Sequence, residues 1–534
     1  MKKYLLVTVL SLLFIRAECL CEEPLANENK TGLYVKSIEQ MLRLAPDEID
    51  FATAALIISE EWSELVHGRR YLTELDEMAY EIRTRAAEQG VAGSYKTVEV
   101  INKYLFEELG FRSIPEAHKA DDLFLHIVMD KRRGYCLGLS ILFLSIGERL
   151  GLALYGVVVP GHFFVRYDDG HVRFNIETTS KGGFASDEHY IKKFKVYQVS
   201  EDSVYMQSLD KMQVLGCLFN NLGNTYLEVG NIDRAFSALE AAVRINPTLA
   251  ESRTNLGNVY LKKGYVSDAI YEYESALQIN PNAAQVHNNL GNAYLKQDWL
   301  DGAISEYRQS LRLDPNYIDG YKNLAHAYCR AENFVSAGSV LKEAILMKPG
   351  DSSLYRELGD VYANADECHK ALSEYQKALS IKPGFAQAHY GMGLCYKTLG
   401  KTEEEISAYQ KALAFEPDMV EALANLGNVY FEKGDYALAI KNYNRAIHLT
   451  PQDGNLHYNL GSAYYNTGDY EQAVEGYKNA IEIEPEMKDA HKGLGMAYYN
   501  LSNYDLAWHH LKLAQELGAE VSKELLSAIE DELQ

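Results

Sequence analysis

The chain has 534 residues, 47% of them apolar and 24% charged, with a formal net charge of −23. That length exceeds what one hydrophobic core organises, and the composition is that of a folded rather than a disordered protein. The acidic balance argues against a nucleic-acid or anionic-membrane partner.

The N-terminus reads as an export signal. Lys2 and Lys3 precede an apolar stretch from Tyr4 to Ile15, too short to span a bilayer, and Ala17-Glu18-Cys19 offers a small-x-small cleavage site. This predicts a signal peptide over 1–20 and a periplasmic or extracellular location. A lipid anchor on Cys21 is the alternative, although Glu18-Cys19-Leu20 makes a poor lipobox. No later run is long and apolar enough to cross a membrane. Five further cysteines, Cys136, Cys217, Cys329, Cys368 and Cys395, are an odd number without a CxxC pair. They predict neither a disulfide framework nor a zinc site, and no cofactor is implied.

The segment 33–205 reads as one domain of mixed structure. Its first part is mostly helical, with helices expected over Thr73–Gln89, Val98–Leu109 (stopped by Gly110) and Asp121–Met129. Arg133-Gly134-Tyr135-Cys136 then opens an apolar helix ending at Leu150-Gly151. Strands follow over Ala153–Val159, His162–Tyr167 and His171–Thr178, with Pro160-Gly161 and Asp169-Gly170 as turns. A two-residue turn at Asp169-Gly170 would pair Asp168 with His171, Phe164 with Asn175 and His162 with Glu177. Opposite residues in such a pair have Cβ atoms about 4.5–5.5 Å apart. A histidine and a carboxylate then lie side by side, while Cys136 starts a helix whose dipole favours a thiolate. A thiol nucleophile needs this set: the histidine takes the thiol proton and the carboxylate fixes the imidazole tautomer.

This order resembles the transglutaminase-like fold of the papain-like cysteine superfamily. More narrowly it is similar to SirB1-type domains, through the Arg-Gly-x-Cys helix start, Arg149-Leu150-Gly151-Leu152 and Pro160-Gly161-His162-Phe163. The resemblance implies Cys136 as nucleophile, His162 as base and Glu177 in the third place. Transglutaminase relatives usually carry Asp there, so Glu177 departs by one methylene. Asn175, one pleat step away, is the alternative third residue, as in papain-type triads. The backbone N–H of Cys136 is the one oxyanion donor the reading supplies.

Beyond residue 216 a different order takes over. Pro247, Pro281, Pro315, Pro349, Pro383, Pro417, Pro451 and Pro485 stand 34 residues apart, eight of the chain's 12 prolines. Nine units follow over 216–521, each with Tyr at its eleventh position. Gly or Ala stands at the eighth, and Ala at the twentieth except for Glu405. Small residues let the two helices of a unit approach, and the proline ends the second helix. The pattern resembles the tetratricopeptide repeat, with 522–534 as a C-terminal capping helix. Glu405 is expected to loosen the sixth unit.

The sixth position holds Asn221, Asn255, Asn289, Asn323, Asn425 and Asn459, which stack along one wall of the array. They resemble the asparagine ladder of O-linked N-acetylglucosamine transferases, which implies a groove that grips the backbone of a protein or peptide partner. Units five and six interrupt it, so two contact stretches are expected.

The predicted architecture is therefore predominantly α: an α+β transglutaminase-like domain followed by an α-solenoid of nine repeats. Two functions suit it. One is an exported Cys-dependent amide hydrolase or acyl transferase whose repeats present polypeptides. The other is an interaction scaffold or assembly factor whose cysteine domain does not turn over.

Overall fold

The computed structural model describes residues 37–63, 65–114, 120–196 and 204–533. The expected signal peptide and Cys21 lie outside them. No helix among the described residues is long and apolar enough to cross a membrane. The chain divides into two compact units, Met1–Pro281 and Asn282–Gln534.

The first unit opens with a single turn at Ile38–Met41, then α1 (Phe51–Trp62), α2 (Gly68–Glu88) and α3 (Thr97–Asn102). Asp50 caps α1 by accepting from the Thr53 N–H at 2.8 Å. The helix expected over 98–109 is α3 running on into a π-helical turn, Lys103–Glu108. The helix expected over 121–129 is a 3-10 turn followed by α4 (Leu125–Lys131). Next comes α5 (Cys136–Leu150), in which every residue from Leu137 to Gly147 is buried. A helix apolar all round has no solvent face to offer, and this one fills the centre of the domain.

A four-stranded antiparallel sheet packs on α5 in the order β3 (Leu154–Val159), β4 (His162–Asp168), β5 (Arg173–Glu177) and β6 (Gly183–Ala185). Two short strands, β1 (Arg112–Ser113) and β2 (Arg133–Gly134), pair in parallel beside it. The fourth strand and the following helix α6 (Asp187–Lys193) were not anticipated from sequence. The β4–β5 register departs from expectation: Arg166 pairs with Asn175 and Asp168 with Arg173. The connection is four residues long, because Asp169 Oδ1 accepts from the N–H groups of His171 (2.9 Å) and Val172 (2.7 Å). That side-chain turn holds two more residues out of the ladder than an Asp-Gly hairpin does.

The repeats begin inside the first unit. Helix α7 (Lys211–Glu228) starts five residues ahead of the expected boundary at 216, because a capping box between Asp210 and Gln213 nucleates it there. Its Lys211 bonds Glu148 of α5 and the Ile49 carbonyl. Helix α8 (Ile232–Ile245) completes repeat one, and α9 (Ala250–Lys263) with α10 (Val266–Ile279) forms repeat two. Tyr226, the eleventh residue of repeat one, stacks 5.2 Å from Trp62 at the end of α1.

The second unit holds repeats three to nine and the terminal helix, Lys523–Leu533. That helix buries Leu526 and Ile529 against Leu494 and Leu511 of the last repeat. Each residue before a repeat proline leaves helical geometry, as at Asp314 (φ −132°, ψ 90°) and Glu416 (φ −131°, ψ 84°). This is the restriction proline imposes on its predecessor. Between the paired helices the fifteenth residue is left-handed throughout. Glycine takes that place in five repeats, whereas Asp298, Glu332, Asp366 and Ser502 take it in the others.

Within a repeat the eighth residue faces the twenty-fourth. A Cβ on Gly359 would sit 2.6 Å from the Tyr375 ring, so glycine makes room for the aromatic. That tyrosine then bonds the ninth residue: Tyr273 to Asn258, Tyr307 to Asn292 and Tyr375 to Asp360 at 2.7 Å, Tyr443 to Asn428 at 2.8 Å. Repeat six lacks the partner, because Leu394 stands ninth. Glu405, in place of the usual Ala, is buried beside the Tyr409 ring, with Oε1 unpaired. The helices of repeat six, Ala386–Thr398 and Thr402–Phe415, keep the lengths of those in neighbouring repeats.

Burial raises the Glu405 carboxyl pKa. A raised carboxyl contributes stability at low pH that is lost as pH rises past its folded value. Glu405→Ala should therefore stabilise the protein by about 1–2 kcal/mol at pH 7 and by less at pH 4. Thermal melts at the two pH values measure this, and an equal or negative effect at pH 7 contradicts it.

Candidate active site

Cys136 is the first residue of α5, and the Tyr135 side chain makes no capping bond there. The helix N-terminus is therefore left to the thiol. Gly134 and Gly138 flank it for a packing reason: a Cβ on either would come within 3 Å of Val128 in α4. Only glycine allows the helix start to press that closely on its neighbour.

His162 opens β4 directly after the Pro160-Gly161 turn and pairs with Val159. Its ring lies flat on Phe194, with centroids 4.7 Å apart and planes 4° from parallel. The Nε2 atom meets Glu177 Oε2 at 2.7 Å. Cys136 lies close enough to interact with the imidazole as well. Glu177 therefore stands where the resemblance implied a third residue. It reaches His162 along a diagonal of the ladder rather than from directly opposite. The register error was two residues, which keeps every side chain on its face.

The Glu177 carboxylate is held from several sides. Oε2 also accepts from the Tyr190 hydroxyl at 3.0 Å, and Oε1 accepts from the Thr179 N–H (3.1 Å) and hydroxyl (2.5 Å). Burial works against its charge, but His162 and Thr179 outweigh burial and bring the carboxyl down to about 2. Burial likewise opposes charge on His162, while the bonds to Cys136 and Glu177 push the imidazole up to about 9. The side chains of both residues are 12% exposed. Ser140, one turn along α5 from Cys136, shares a buried 3.0 Å hydrogen bond with Thr178, which ties the thiol-bearing helix to the end of β5.

Asn175 does not face His162. It accepts from Arg166 Nε at 2.8 Å and donates to Asp187 Oδ1 at 2.6 Å. Arg166, wholly buried, claims it, and that removes Asn175 as the alternative third residue. Sequence reasoning missed Tyr190, Phe194 and Thr179. Tyr190 and Phe194 belong to α6 and its end, where the strand pattern had already run out. The Thr178-Thr179 pair after Glu177 was the readable signal. The five cysteines of the body are all free thiols.

The sixth-position asparagines serve first as ties between repeats. Asn255 Nδ2 donates to Asn220 of the preceding repeat at 3.0 Å, and Asn323 Nδ2 to Asn288 at 2.9 Å. Asn425 donates to the Tyr390 hydroxyl at 3.1 Å and Asn459 to Asn428 at 3.4 Å. Asn221 and Asn289 are likewise half-buried.

An imidazole hydrogen-bonded to a carboxylate beside a helix-start thiol, on a sheet packed over one buried helix and joined to helical hairpins, defines a class: a cysteine-centred α+β domain with an α-solenoid. The sequence model of the transglutaminase-like superfamily matches residues 69–220, and tetratricopeptide repeats follow it. Repeat models match 223–264, 262–298, 284–317, 396–434, 427–468 and 454–487. A UPF0162 protein of Xylella fastidiosa is 26% identical over 211 residues, 38% of this chain and 73% of the relative. F-box only protein 21 of Mus musculus is 30% identical over 76 residues, 14% of this chain and 12% of that protein. Among solved structures, a tetratricopeptide repeat protein from Parabacteroides merdae is 18% identical, covering 46% of this chain and 98% of its own at a TM-score of 0.37. YrrB, described as a TPR protein with an unusual peptide-binding site, is 24% identical, covering 35% and 96% at a TM-score of 0.29.

Glu177→Gln removes the charge that holds His162 protonated, so the imidazole falls toward its ordinary value. Alkylation of Cys136 by iodoacetamide at pH 6, read by peptide mass spectrometry, should slow by about tenfold or more. A Glu177→Gln protein that reacts like wild type contradicts the arrangement.

Proposed function

We propose that the protein is an exported acyl-transfer enzyme of the SirB1-type branch, acting on amide bonds of polypeptides that its repeats hold. The observation that carries this reading is the 2.7 Å hydrogen bond between His162 and Glu177, with Cys136 close enough to act on the same imidazole. In this mechanism the Cys136 thiolate adds to the amide carbonyl carbon. The backbone N–H of Cys136 supports the oxyanion. The His162 imidazolium gives its proton to the departing amine, leaving a thioester on Cys136. His162 then accepts a proton from water, which yields an acid, or from a second amine, which yields a new amide. Glu177 keeps the imidazole in one orientation and stabilises its charge throughout. The polypeptide lies in the repeat groove along the asparagine columns.

The second reading, a scaffold or assembly factor, is favoured by how closed the site is. His162 and Glu177 are covered by Phe194 and Tyr190, so that the triad doubles as domain core.

Incubating the full chain with a casein digest and hydroxylamine separates the two. Acyl transfer through a thioester yields peptide hydroxamates that Cys136→Ala abolishes. No hydroxamate or hydrolysis, together with a Cys136 thiol no more reactive than in the denatured chain, leaves the scaffold. For the groove, the triple variant Asn255→Ala, Asn289→Ala, Asn323→Ala should weaken binding of fluorescent casein peptides by about a hundredfold, read by polarisation, at roughly 1 kcal/mol per lost hydrogen bond. Unchanged affinity removes the asparagines from the binding surface.

A further inference from the structure

The last repeat carries two histidines at a contact where earlier repeats carry a carboxylate. In repeat two the fourth residue, Arg253, meets the twenty-third, Glu272, at 2.9 Å. In repeat three His287 Nδ1 meets Glu306 Oε2 at 2.5 Å. In repeat nine the same two places hold His491, on the first helix (Lys488–Asn500), and His510, on the second (Tyr504–Glu516). Their Nδ1 atoms lie 3.1 Å apart and their ring centroids 5.4 Å apart. His491 is buried and His510 half-buried.

The proton positions follow from the partners. His491 Nε2 lies 3.0 Å from the Pro485 carbonyl, as His457 Nε2 lies 3.1 Å from that of Pro451 and His389 Nε2 3.2 Å from that of Pro383. A carbonyl oxygen only accepts, so Nε2 of His491 carries a hydrogen. Nδ1 of the neutral His491 ring is then a lone pair, to which the His510 Nδ1–H donates. One added proton still leaves a single hydrogen between the two Nδ1 atoms. A second sets two N–H groups face to face, each on a cation. The surrounding groups add to that charge. Among the described residues, those acting on His510 are His491, its exposed neighbour His509 and Lys478 from the second helix of repeat eight; the terminal helix supplies none. Lys478 Nζ lies 5.6 Å from the centre of the Tyr498 ring, which stacks on His510 at 5.9 Å. Burial first, and then these cations, bring the His510 imidazole down to about 4.

The pair also sits beside the end of the array. Leu494, one turn on from His491, and Leu511, next to His510, belong to the core in which the terminal helix buries Leu526 and Ile529. We propose that the histidine pair is an acid-sensitive latch: uptake of a second proton drives apart the two helices of repeat nine and frees the terminal helix, while the repeats before it keep their packing. A histidine with a lowered folded pKa contributes stability that is present at neutral pH and lost as pH falls, here from the ordinary value of 6.5 toward about 4. Release of the terminal helix lays open Leu494 and Leu511, the apolar end that a solenoid otherwise keeps covered.

The test is hydrogen exchange of the full chain, read by peptide mass spectrometry as protection factors at pH 7 and pH 5. Wild-type peptides from 488–533 should lose about tenfold in protection at pH 5, while those from repeats four to seven should not. His510→Gln removes the site of the second proton and should abolish the loss. His510→Glu copies the pairing of repeat three, so protection should rise rather than fall on going to pH 5. His509→Gln changes only the exposed neighbour and should keep most of the wild-type response. Equal wild-type protection of 488–533 at the two pH values overturns the proposal, and so does a His510→Gln protein that keeps the wild-type loss. A loss of the same size in repeats four to seven, which hold histidines of their own, overturns it as well. The wild-type comparison decides the matter even where a His510 variant does not fold.

Discussion

A buried charge has to be answered on every side, and Glu177 is the charge about which the cysteine domain is built. Its two oxygens draw on His162 at the head of β4, Thr179 just past β5 and Tyr190 on α6. No two of these donors come from the same element. The sheet, the turn after β5 and the last helix must therefore all be in place before the carboxylate is stable as an anion. An uncompensated charge at this depth would be neutralised or would open the structure. Cys136 joins through His162, and its helix is pinned to the same turn through Ser140 and Thr178. The candidate site and the stability of the domain thus draw on one network.

Much of the fold was legible in the sequence, because its strongest signals act locally. A proline constrains its predecessor whatever the tertiary context, so eight evenly spaced prolines locate eight helix ends. The all-apolar run after Cys136 could only be a helix buried on every face. The left-handed turn between paired helices was harder to see. Asp298, Glu332, Asp366 and Ser502 occupy it where glycine would have announced it. The bond from the twenty-fourth residue to the ninth also escaped notice. It becomes visible only when Leu394 and Glu405 are read as a linked exception.

The site was partly legible. The choice of His162 and Glu177 needed only the alternation of side chains along β4 and β5, and that of Cys136 its place at a helix start. That alternation survives a register error of two. Asn175 was a plausible alternative on the same criterion, since it shares a face with Glu177. What excludes it is Arg166, a cation buried in the sheet and bound to Asn175, Asp187 and the Met206 carbonyl. Such an arrangement depends on segments 20 to 40 residues apart, as the sequence separations of those bonds show. Nothing in a periodic pattern encodes it. Tyr190 escaped for the same reason.

Helix α7 belongs to two structures at once. It is the first helix of the repeat array, yet the superfamily match ends within it, at residue 220. Its start is fastened to α5 through Lys211, while Tyr226 near its end lies against Trp62 of α1. A solenoid has a raw edge wherever its first helix faces nothing, and natural arrays usually spend a dedicated polar element on covering it. Here the globular domain performs that service. A fragment cut at the apparent boundary would carry half of someone else's core on its surface. The first two repeats and the domain are therefore bound into one compact unit.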